Sequence, residues 1–300
     1  MENRIHIESS TVRLAGDGVE LTADIFGSEE APPVLLLHGG GQTRHAWSNT
    51  GKALAAAGWR AIALDLRGHG DSDWPESGEY DPEHFAADLQ VVIRELGRPP
   101  AVVGASLGGM MALTAQRLSK TQLYSAVVLV DITPRMERVG VERIVGFMLA
   151  HPDGFGSLEA AADAIAAYRP NKPRPADPSG LERTLRQTPD GRWHWRWDAR
   201  FLTTKFQASQ DGVEALDSRR ESMEERLLAG ARRVEVPTLL VRGALSDLVS
   251  PEGASAFLNA VPHADYVDVE NAGHMVSGDQ NDAFTTAVID FLKGTPRDSS

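Results

Sequence analysis

Short apolar runs that alternate with helical patterns constrain the fold of this chain more than any other feature of its sequence. Three of these runs, at residues 34–37, 61–64 and 101–103, are too short for helices and lie close to Gly or Pro. Runs of this kind are typical of buried parallel strands. Helical patterns lie between them, at residues 50–57 and 82–96. The alternation predicts an α/β fold with a mostly parallel, doubly wound sheet and right-handed crossovers.

The two ends of this pattern depart from simple alternation of strand and helix. Residues 11–26 alternate in polarity around Gly16-Asp17-Gly18, which predicts an antiparallel hairpin at the start of the sheet. A further strand is predicted at residues 126–130, and the strand pattern then returns only at residues 237–242 and 264–269. The long interval between these strands predicts an insertion into the sheet domain.

The insertion has a helical pattern of its own. Apolar residues recur with helical spacing at residues 139–149 and 158–168, as expected of helices that bury one face. We therefore predict a helical cap, or lid, at residues 133–230 and an α/β core domain formed by residues 1–132 and 231–300.

The composition of the chain limits the kinds of molecule that it is expected to bind. The chain has 300 residues, a net charge of −12 and no cysteine. An acidic surface without Lys- or Arg-rich runs repels nucleic acid. Neither an apolar stretch long enough for a membrane span nor a signal-peptide pattern is present, so we expect a cytoplasmic protein that acts on a small molecule. Without cysteine there is no disulfide and no thiolate nucleophile, and the pattern leaves the oligomeric state undetermined.

A serine lies at a sharp turn between a predicted strand and a predicted helix. The segment Gly104-Ala105-Ser106-Leu107-Gly108-Gly109 follows the apolar run at residues 101–103 and precedes a helical run at residues 110–118. Its glycines permit a strained turn that exposes the serine hydroxyl at the carboxyl edge of the sheet. This arrangement predicts Ser106 as a catalytic nucleophile.

A serine hydroxyl requires a general base, and the base requires a carboxylate that orients it. His274 lies in the loop after the last predicted strand, where ligands bind in open α/β sheets, and we predict it as the base. Asp247, in the loop after the preceding strand, is predicted as the acid. Asp131 directly follows the strand at residues 126–130 and is the competing candidate, with a structural role at the cap entrance as its expected function.

A glycine loop follows the first parallel strand and can bring backbone amides close to a substrate oxygen. We predict that the amides of Gly40 and Leu107 form an oxyanion hole, with Gly41 as the alternative to Gly40. A phosphate-binding loop is disfavoured because no Lys-Ser or Lys-Thr pair follows the glycines. No cofactor and no metal ion are predicted.

Four residues are predicted to contact the substrate. Gly41 belongs to the glycine loop, and Met275 directly follows His274. Trp193 and Trp195 belong to the run Trp193-His194-Trp195-Arg196-Trp197, whose alternation places the aromatic rings on one face of the cap. The alternative is that these tryptophans only pack the cap, because indole rings usually bury area before they bind ligands.

The sequence resembles the α/β-hydrolase family along nearly its whole length outside the cap. The resemblance rests on five segments: HGGGQT at residues 38–43, DLRGHGDSD at 65–73, GASLGG at 104–109, RGALSD at 242–247 and NAGH at 271–274. Within the family it is similar to cap-bearing bacterial serine esterases and cofactor-free peroxidase-like hydrolases. The serine at the turn differs from the aspartate of the haloalkane dehalogenase and epoxide hydrolase branches. Residues 65–73 are interpreted as structural.

The resemblance implies an enzyme that cleaves a small carboxylic ester through an acyl-enzyme. One alternative is a carbon–carbon bond hydrolase of the meta-cleavage type, whose pattern has Asn where this chain has Ala105 and an aromatic residue where it has Met275. Lactone hydrolysis and perhydrolysis are further alternatives. A receptor for a small ligand on the same fold is the alternative without catalysis.

Overall fold

The structure, a computed structural model, describes residues 9–169, 173–202, 213–270, 272–274 and 282–295. Ten strands lie within these residues: β1 (Ser9–Ala15), β2 (Glu20–Phe26), β3 (Pro33–Leu37), β4 (Arg60–Leu64), β5 (Ala101–Ala105), β6 (Ala126–Val130), β7 (Leu185–Gln187), β8 (Trp193–Trp195), β9 (Thr238–Gly243) and β10 (Ala264–Val269).

Eight of these strands form the main sheet, in the order β1-β2-β4-β3-β5-β6-β9-β10. Strand β1 pairs with β2, and β2 with β4, in antiparallel fashion, and the other neighbouring strands are parallel. The predicted α/β fold with a mostly parallel sheet and an N-terminal antiparallel hairpin is confirmed. Strands β7 and β8 form a separate antiparallel pair.

Helices cover both faces of the main sheet, and two more lie in the inserted segment. In chain order the helices are α1 (Ser48–Ala56), α2 (Pro82–Leu96), α3 (Leu107–Leu118), α4 (Arg138–Leu149), α5 (Leu158–Tyr168), α6 (Val213–Ala231), α7 (Pro251–Ala260) and α8 (Asp282–Lys293). Local signals delimit several of them. Pro82 begins α2 and Gly97, with a φ of 69°, ends it, because proline suits the first helical turn and glycine the left-handed position after the last. No described helix has the length and apolar character that a membrane crossing requires.

The central strands contribute to two hydrophobic layers, one on each side of the sheet. In β3, Val34 and Leu36 face the layer that contains residues of α1 and α8, whereas Leu35 and Leu37 face the layer with residues of α2, α3, α6 and α7. The same strand supplies both apolar layers because successive side chains of a strand point to opposite faces. This explains why the parallel strands read as continuous apolar runs.

The sequence between β6 and β9 contains the elements of the predicted cap. Helix α5 and the β7–β8 pair contribute to a small apolar cluster around Phe155 and Leu185, and Phe147 of α4 contacts this region through the ring of Trp195. Helix α6 differs, because its residues Leu227 and Ala231 belong to the large layer of the main sheet. We therefore infer that the cap is shorter than the predicted residues 133–230 and that α6 belongs to the core domain.

Helix α6 packs backbone to backbone on α3 through Gly230. A Cβ atom added there would lie 2.2 Å from the carbonyl oxygen of Leu113, whereas one added at the exposed Gly146 of α4 would meet no atom within 4 Å. We expect Gly230→Ala to lower the free energy of unfolding by about 1–3 kcal/mol through overpacking. Gly146→Ala, the matched control, should raise it by about 0.5–1 kcal/mol through helix propensity.

Urea unfolding of the two variants measures both effects. Equal stability changes in the two variants would contradict the close packing of α6 on α3.

Candidate active site

Ser106 occupies a strained turn between β5 and α3. Its φ of 45° and ψ of −110° are rare for a residue with a side chain. The turn is tight because Gly104 and Gly108 leave no room for a Cβ atom: one on Gly104 would lie 2.6 Å from Gly109 N, and one on Gly108 2.4 Å from Leu37 O. Helix α3 begins at the next residue, so the serine stands at the amino end of a helix.

His274 and Asp131 form a buried pair at the same edge of the sheet. The Nδ1 atom of His274 lies 2.8 Å from Oδ2 of Asp131, and the two side chains are 6% and 1% exposed. A carboxylate only accepts hydrogen bonds, so the geometry assigns the proton to Nδ1. In an imidazole whose single proton is on Nδ1, the Nε2 atom is the proton acceptor.

The Asp131 carboxylate receives two further hydrogen bonds, one from the last residue of β9 and one from the loop that follows it. The Gly243 amide donates to Oδ1 at 3.1 Å, and the Ser246 hydroxyl donates to Oδ2 at 2.7 Å. The backbone of Asp131 has a φ of 48°, and Asp131 and Ser106 are the two non-glycine residues with positive φ in the described part of the chain. Both strained residues therefore lie at the ends of adjacent strands, β5 and β6.

The structure corrects the prediction that Asp247 orients His274. The Asp247 carboxylate forms an ion pair with Arg143 of α4, with 3.0 Å between Oδ2 and Nη1. Gly140 of the same helix packs on the Asp247 backbone, since a Cβ atom there would lie 2.3 Å from Asp247 O. The loop after β9 thus directs Asp247 to the predicted cap and Ser246 to the sheet edge.

The glycine loop lies against the serine turn. A Cβ atom on Gly39 would be 3.5 Å from Cβ of Ser106. The Gly39 amide donates to Gln42 Oε1 at 2.9 Å and the Gly41 amide to His69 Nε2 at 3.2 Å. Among the described residues, the Gly40 amide has no hydrogen-bond partner, which favours Gly40 over Gly41 as a donor to a ligand.

Two buried histidines support the glycine loop from below. His38 Nδ1 lies 2.8 Å from Gly39 O, and His38 Nε2 accepts the Leu66 amide at 3.1 Å. Burial lowers the pKa of His38 to about 4. Burial, with the neighbouring His38, lowers the pKa of His69 to about 3. Both rings are therefore neutral at pH 7, and each accepts an amide hydrogen bond, from Leu66 at His38 and from Gly41 at His69.

The segment at residues 65–73 has the contacts of a structural loop. Asp65 is fully buried and forms an ion pair with Arg44, whose guanidinium also lies 2.8 Å from Asp71. Gly70 is required beside it, because a Cβ atom there would lie 2.1 Å from Asp65 Oδ2. The same segment anchors the residues after β8, since the Gly70 amide donates to Arg196 O at 2.6 Å.

Apolar side chains of the inserted segment, rather than Trp193 and Trp195, lie over the glycine loop. A Cβ atom on Gly41 would be 3.0 Å from Met148 Cε and 3.7 Å from Trp197 Nε1. A Cβ atom on Gly40 would be 3.5 Å from Phe201 Cε1. Neither contact was predicted from the sequence, where Met148 is one apolar position of the helical pattern at residues 139–149 and Phe201 belongs to no pattern.

Trp193 and Trp195 have contacts typical of packing residues. Trp193 forms a bridge with Phe155. The ring of Trp195 stands edge-on to Phe155 and Phe147, at centroid distances of 5.3 and 5.9 Å. Met275 lies outside the described residues. Within those residues, no cluster of His, Asp or Glu side chains has an arrangement that could hold a metal ion.

Comparison with known proteins identifies the family. The model of the alpha/beta hydrolase fold matches residues 32–280. The chain belongs to the α/β-hydrolase family. It is 33% identical over 272 residues to the esterase Rv0045c of Mycobacterium tuberculosis, which covers 88% of this chain and 82% of the relative. A crystal structure of that esterase superposes with a TM-score of 0.71 at 29% identity, over 95% of this chain and 92% of the esterase.

Other members of the family are similar over comparable lengths. The non-heme chloroperoxidase CPO-A1 of Kitasatospora aureofaciens is 29% identical over 287 residues, which is 92% of this chain and 97% of the relative. A crystal structure of E-2-(acetamidomethylene)succinate hydrolase has a TM-score of 0.79 at 24% identity, over 96% of this chain and 100% of the other. The latter likeness shows the fold. The family and the esterase relative together identify the protein as a hydrolase.

The lowered pKa of the buried His69 predicts a pH dependence of stability. Below the ordinary histidine pKa of 6.5 the unfolded chain binds a proton that the folded chain, with a pKa of about 3, does not. The free energy of unfolding should therefore fall as the pH drops from 7.5 to 5.5, by about 1.4 kcal/mol for this one residue.

The substitution His69→Gln removes the titrating ring and leaves an amide oxygen that can accept the Gly41 amide. We expect the difference in unfolding free energy between pH 7.5 and 5.5 to shrink by about 1.4 kcal/mol in this variant. Urea unfolding at the two pH values measures it. An unchanged difference would contradict a neutral His69 in the folded state.

Proposed function

We propose that this α/β-hydrolase cleaves carboxylic esters through an acyl-enzyme, with Ser106 as nucleophile, His274 as general base and Asp131 as the acid that orients the base. The observation that carries the proposal is the buried pair of His274 and Asp131, with 2.8 Å between Nδ1 and Oδ2. A histidine held in this way has one ring nitrogen directed away from the carboxylate, as serine activation requires. The similarity to a mycobacterial esterase supports an ester substrate.

In the proposed reaction, His274 Nε2 takes the hydroxyl proton of Ser106 while Oγ attacks the ester carbonyl carbon. Asp131 stabilises the imidazolium that forms. His274 then gives its proton to the departing alkoxide, and the alcohol leaves. Water, deprotonated by the same imidazole, attacks the acyl-enzyme, and the collapse of the second tetrahedral intermediate returns the proton to Ser106 and releases the acid.

The amides of Gly40 and Leu107 are the donors that we propose for the oxyanion. Leu107 is the first residue of α3, and the amides of a first helical turn have no partner within the helix. Gly40 stands in the loop that packs on Ser106 and has no partner among the described residues. Two such donors, fixed before substrate binds, stabilise the negative charge as it develops on the carbonyl oxygen.

The side chains of the inserted segment favour a substrate with an apolar acyl or alcohol group. Met148, Trp197 and Phe201 are largely buried and lie next to Gly40 and Gly41. Apolar walls with few polar groups are typical of small-molecule pockets. We therefore propose that residues of the cap form the wall of the pocket above the oxyanion donors.

A panel of substrates tests the function. We expect purified protein to hydrolyse p-nitrophenyl esters, with kcat/KM that depends on acyl length, faster than a lactone, a meta-cleavage diketone or an N-acyl enamine. Ser106→Ala should lower kcat by several orders of magnitude without loss of the folded state, as measured by thermal unfolding. Faster turnover of the diketone than of any ester would contradict ester hydrolysis. Tight binding of a small ligand without turnover would indicate a receptor.

Substitution of the two aspartates shows which of them orients His274 and which only pairs with the inserted segment. We expect Asp131→Asn to lower kcat by about 10⁴-fold, because an amide no longer selects the histidine tautomer with a proton on Nδ1. Asp247→Asn removes the charge that pairs with Arg143 and should leave kcat within about tenfold of the parent, since a partly exposed ion pair contributes little.

The measurement is kcat on the best p-nitrophenyl ester, with the melting temperature of each variant as a control for folding. The opposite ranking of the two variants would return the acid role to Asp247.

A further inference from the structure

Ser246 is the one hydroxyl group among the described residues that contacts the Asp131 carboxylate. Its Oγ atom lies 2.7 Å from Asp131 Oδ2. The residue belongs to the loop after β9, on the opposite side of Asp131 from the serine turn after β5. The proposed reaction assigns it no role.

The direction of this hydrogen bond is determined by the loop itself. The amides of Leu248 and Val249 both donate to Ser246 Oγ, at 3.2 and 3.1 Å. A serine hydroxyl has two acceptor sites and a single proton. Because both acceptor sites are used by amides, the proton of Ser246 is directed to Asp131.

The same carboxylate oxygen is shared with the histidine. Asp131 Oδ2 accepts the Ser246 hydroxyl at 2.7 Å and lies 2.8 Å from His274 Nδ1. The other oxygen, Oδ1, accepts the Gly243 amide at 3.1 Å. With both oxygens bonded, the carboxylate cannot rotate without the loss of at least one hydrogen bond, and part of the negative charge on Oδ2 is taken up by Ser246.

We propose that Ser246 is a positioning residue that acts through Asp131: it holds the carboxylate in the plane that suits His274 and moderates the attraction of Oδ2 for the imidazolium. This inference rests on the proposed function. Two effects follow from it that support of the loop alone would not produce. Without the hydroxyl the carboxylate is less well positioned, so kcat falls while KM stays constant. The charge on Oδ2 is also less shared, so it stabilises the imidazolium more strongly.

The other ionisable groups beside this loop are paired elsewhere. Arg242 of β9 donates to Val249 O at 2.7 Å and pairs with Asp268 at 3.0 Å. Asp247 pairs with Arg143. A change in the pH profile on removal of the Ser246 hydroxyl therefore reports on the pair of Asp131 and His274.

The test compares three variants on a p-nitrophenyl ester. Ser246→Ala removes the hydroxyl, and Ser246→Thr retains it. Ser250→Ala is the matched control. Ser250 ends the same loop, and its Oγ atom likewise accepts an amide hydrogen bond, from Gly253 at 3.1 Å, and donates to a carboxylate, Glu137 Oε1 at 2.6 Å. It does not contact Asp131.

We expect Ser246→Ala to lower kcat roughly tenfold at constant KM, as for the loss of a hydrogen bond to a charged group. The acidic limb of its profile of kcat against pH should move to higher pH by about half a unit. Ser246→Thr should restore both, and Ser250→Ala should change neither.

Two results would overturn the positioning role. One is a parental kcat and pH profile in Ser246→Ala. The other is an equal fall of kcat in Ser246→Ala and Ser250→Ala with lowered melting temperatures, which would indicate loop support. If Ser106→Ala retains turnover, the proposed function itself fails, so the two failures are distinguishable.

Discussion

The parallel register of β3, β5, β6 and β9 is the constraint on which the rest of the structure depends. Neighbouring strands pair Leu37 with Gly104, Ala105 with Val130 and Val130 with Val241, so all four end at one edge. Four segments that are distant in sequence emerge there side by side: the glycine loop, the serine turn, Asp131 and the loop after β9. Each can then supply one chemical group to the same small volume, which no single segment could do.

Backbone strain at that edge is compensated by close packing and hydrogen bonds. Ser106 and Asp131 both have positive φ, at a cost of order 1–3 kcal/mol each. Close approach of the backbone at Gly104 and Gly108 stabilises the first turn, and three hydrogen bonds to its carboxylate stabilise the second. The side chains are therefore preorganised before a substrate arrives, which is the property that oxyanion and triad chemistry require.

Buried polar groups beneath the edge connect the glycine loop to the inserted segment. His69 accepts the Gly41 amide on one side, and its neighbour Gly70 donates to Arg196 after β8 on the other. Tyr80 adds a hydrogen bond of 2.6 Å to Asp198. Because buried polar groups are costly when unpaired, this network allows few alternative positions for the residues that follow β8.

The sequence by itself determined the order of strands and helices, the hairpin, and the positions of Ser106 and His274, because local apolar period, glycine spacing and strand-to-loop transitions are properties of single segments. Only the tertiary structure decided which aspartate pairs with His274. Asp131 and Asp247 both follow strands. Their different partners result from the left-handed backbone at Asp131 and from Arg143, which pairs with Asp247. The availability of Gly40 rather than Gly41 likewise depends on His69, and Met148 and Phe201 reach the glycine loop only through packing of the inserted segment. Such choices depend on side-chain direction and on competing partners from distant segments, which no local pattern encodes.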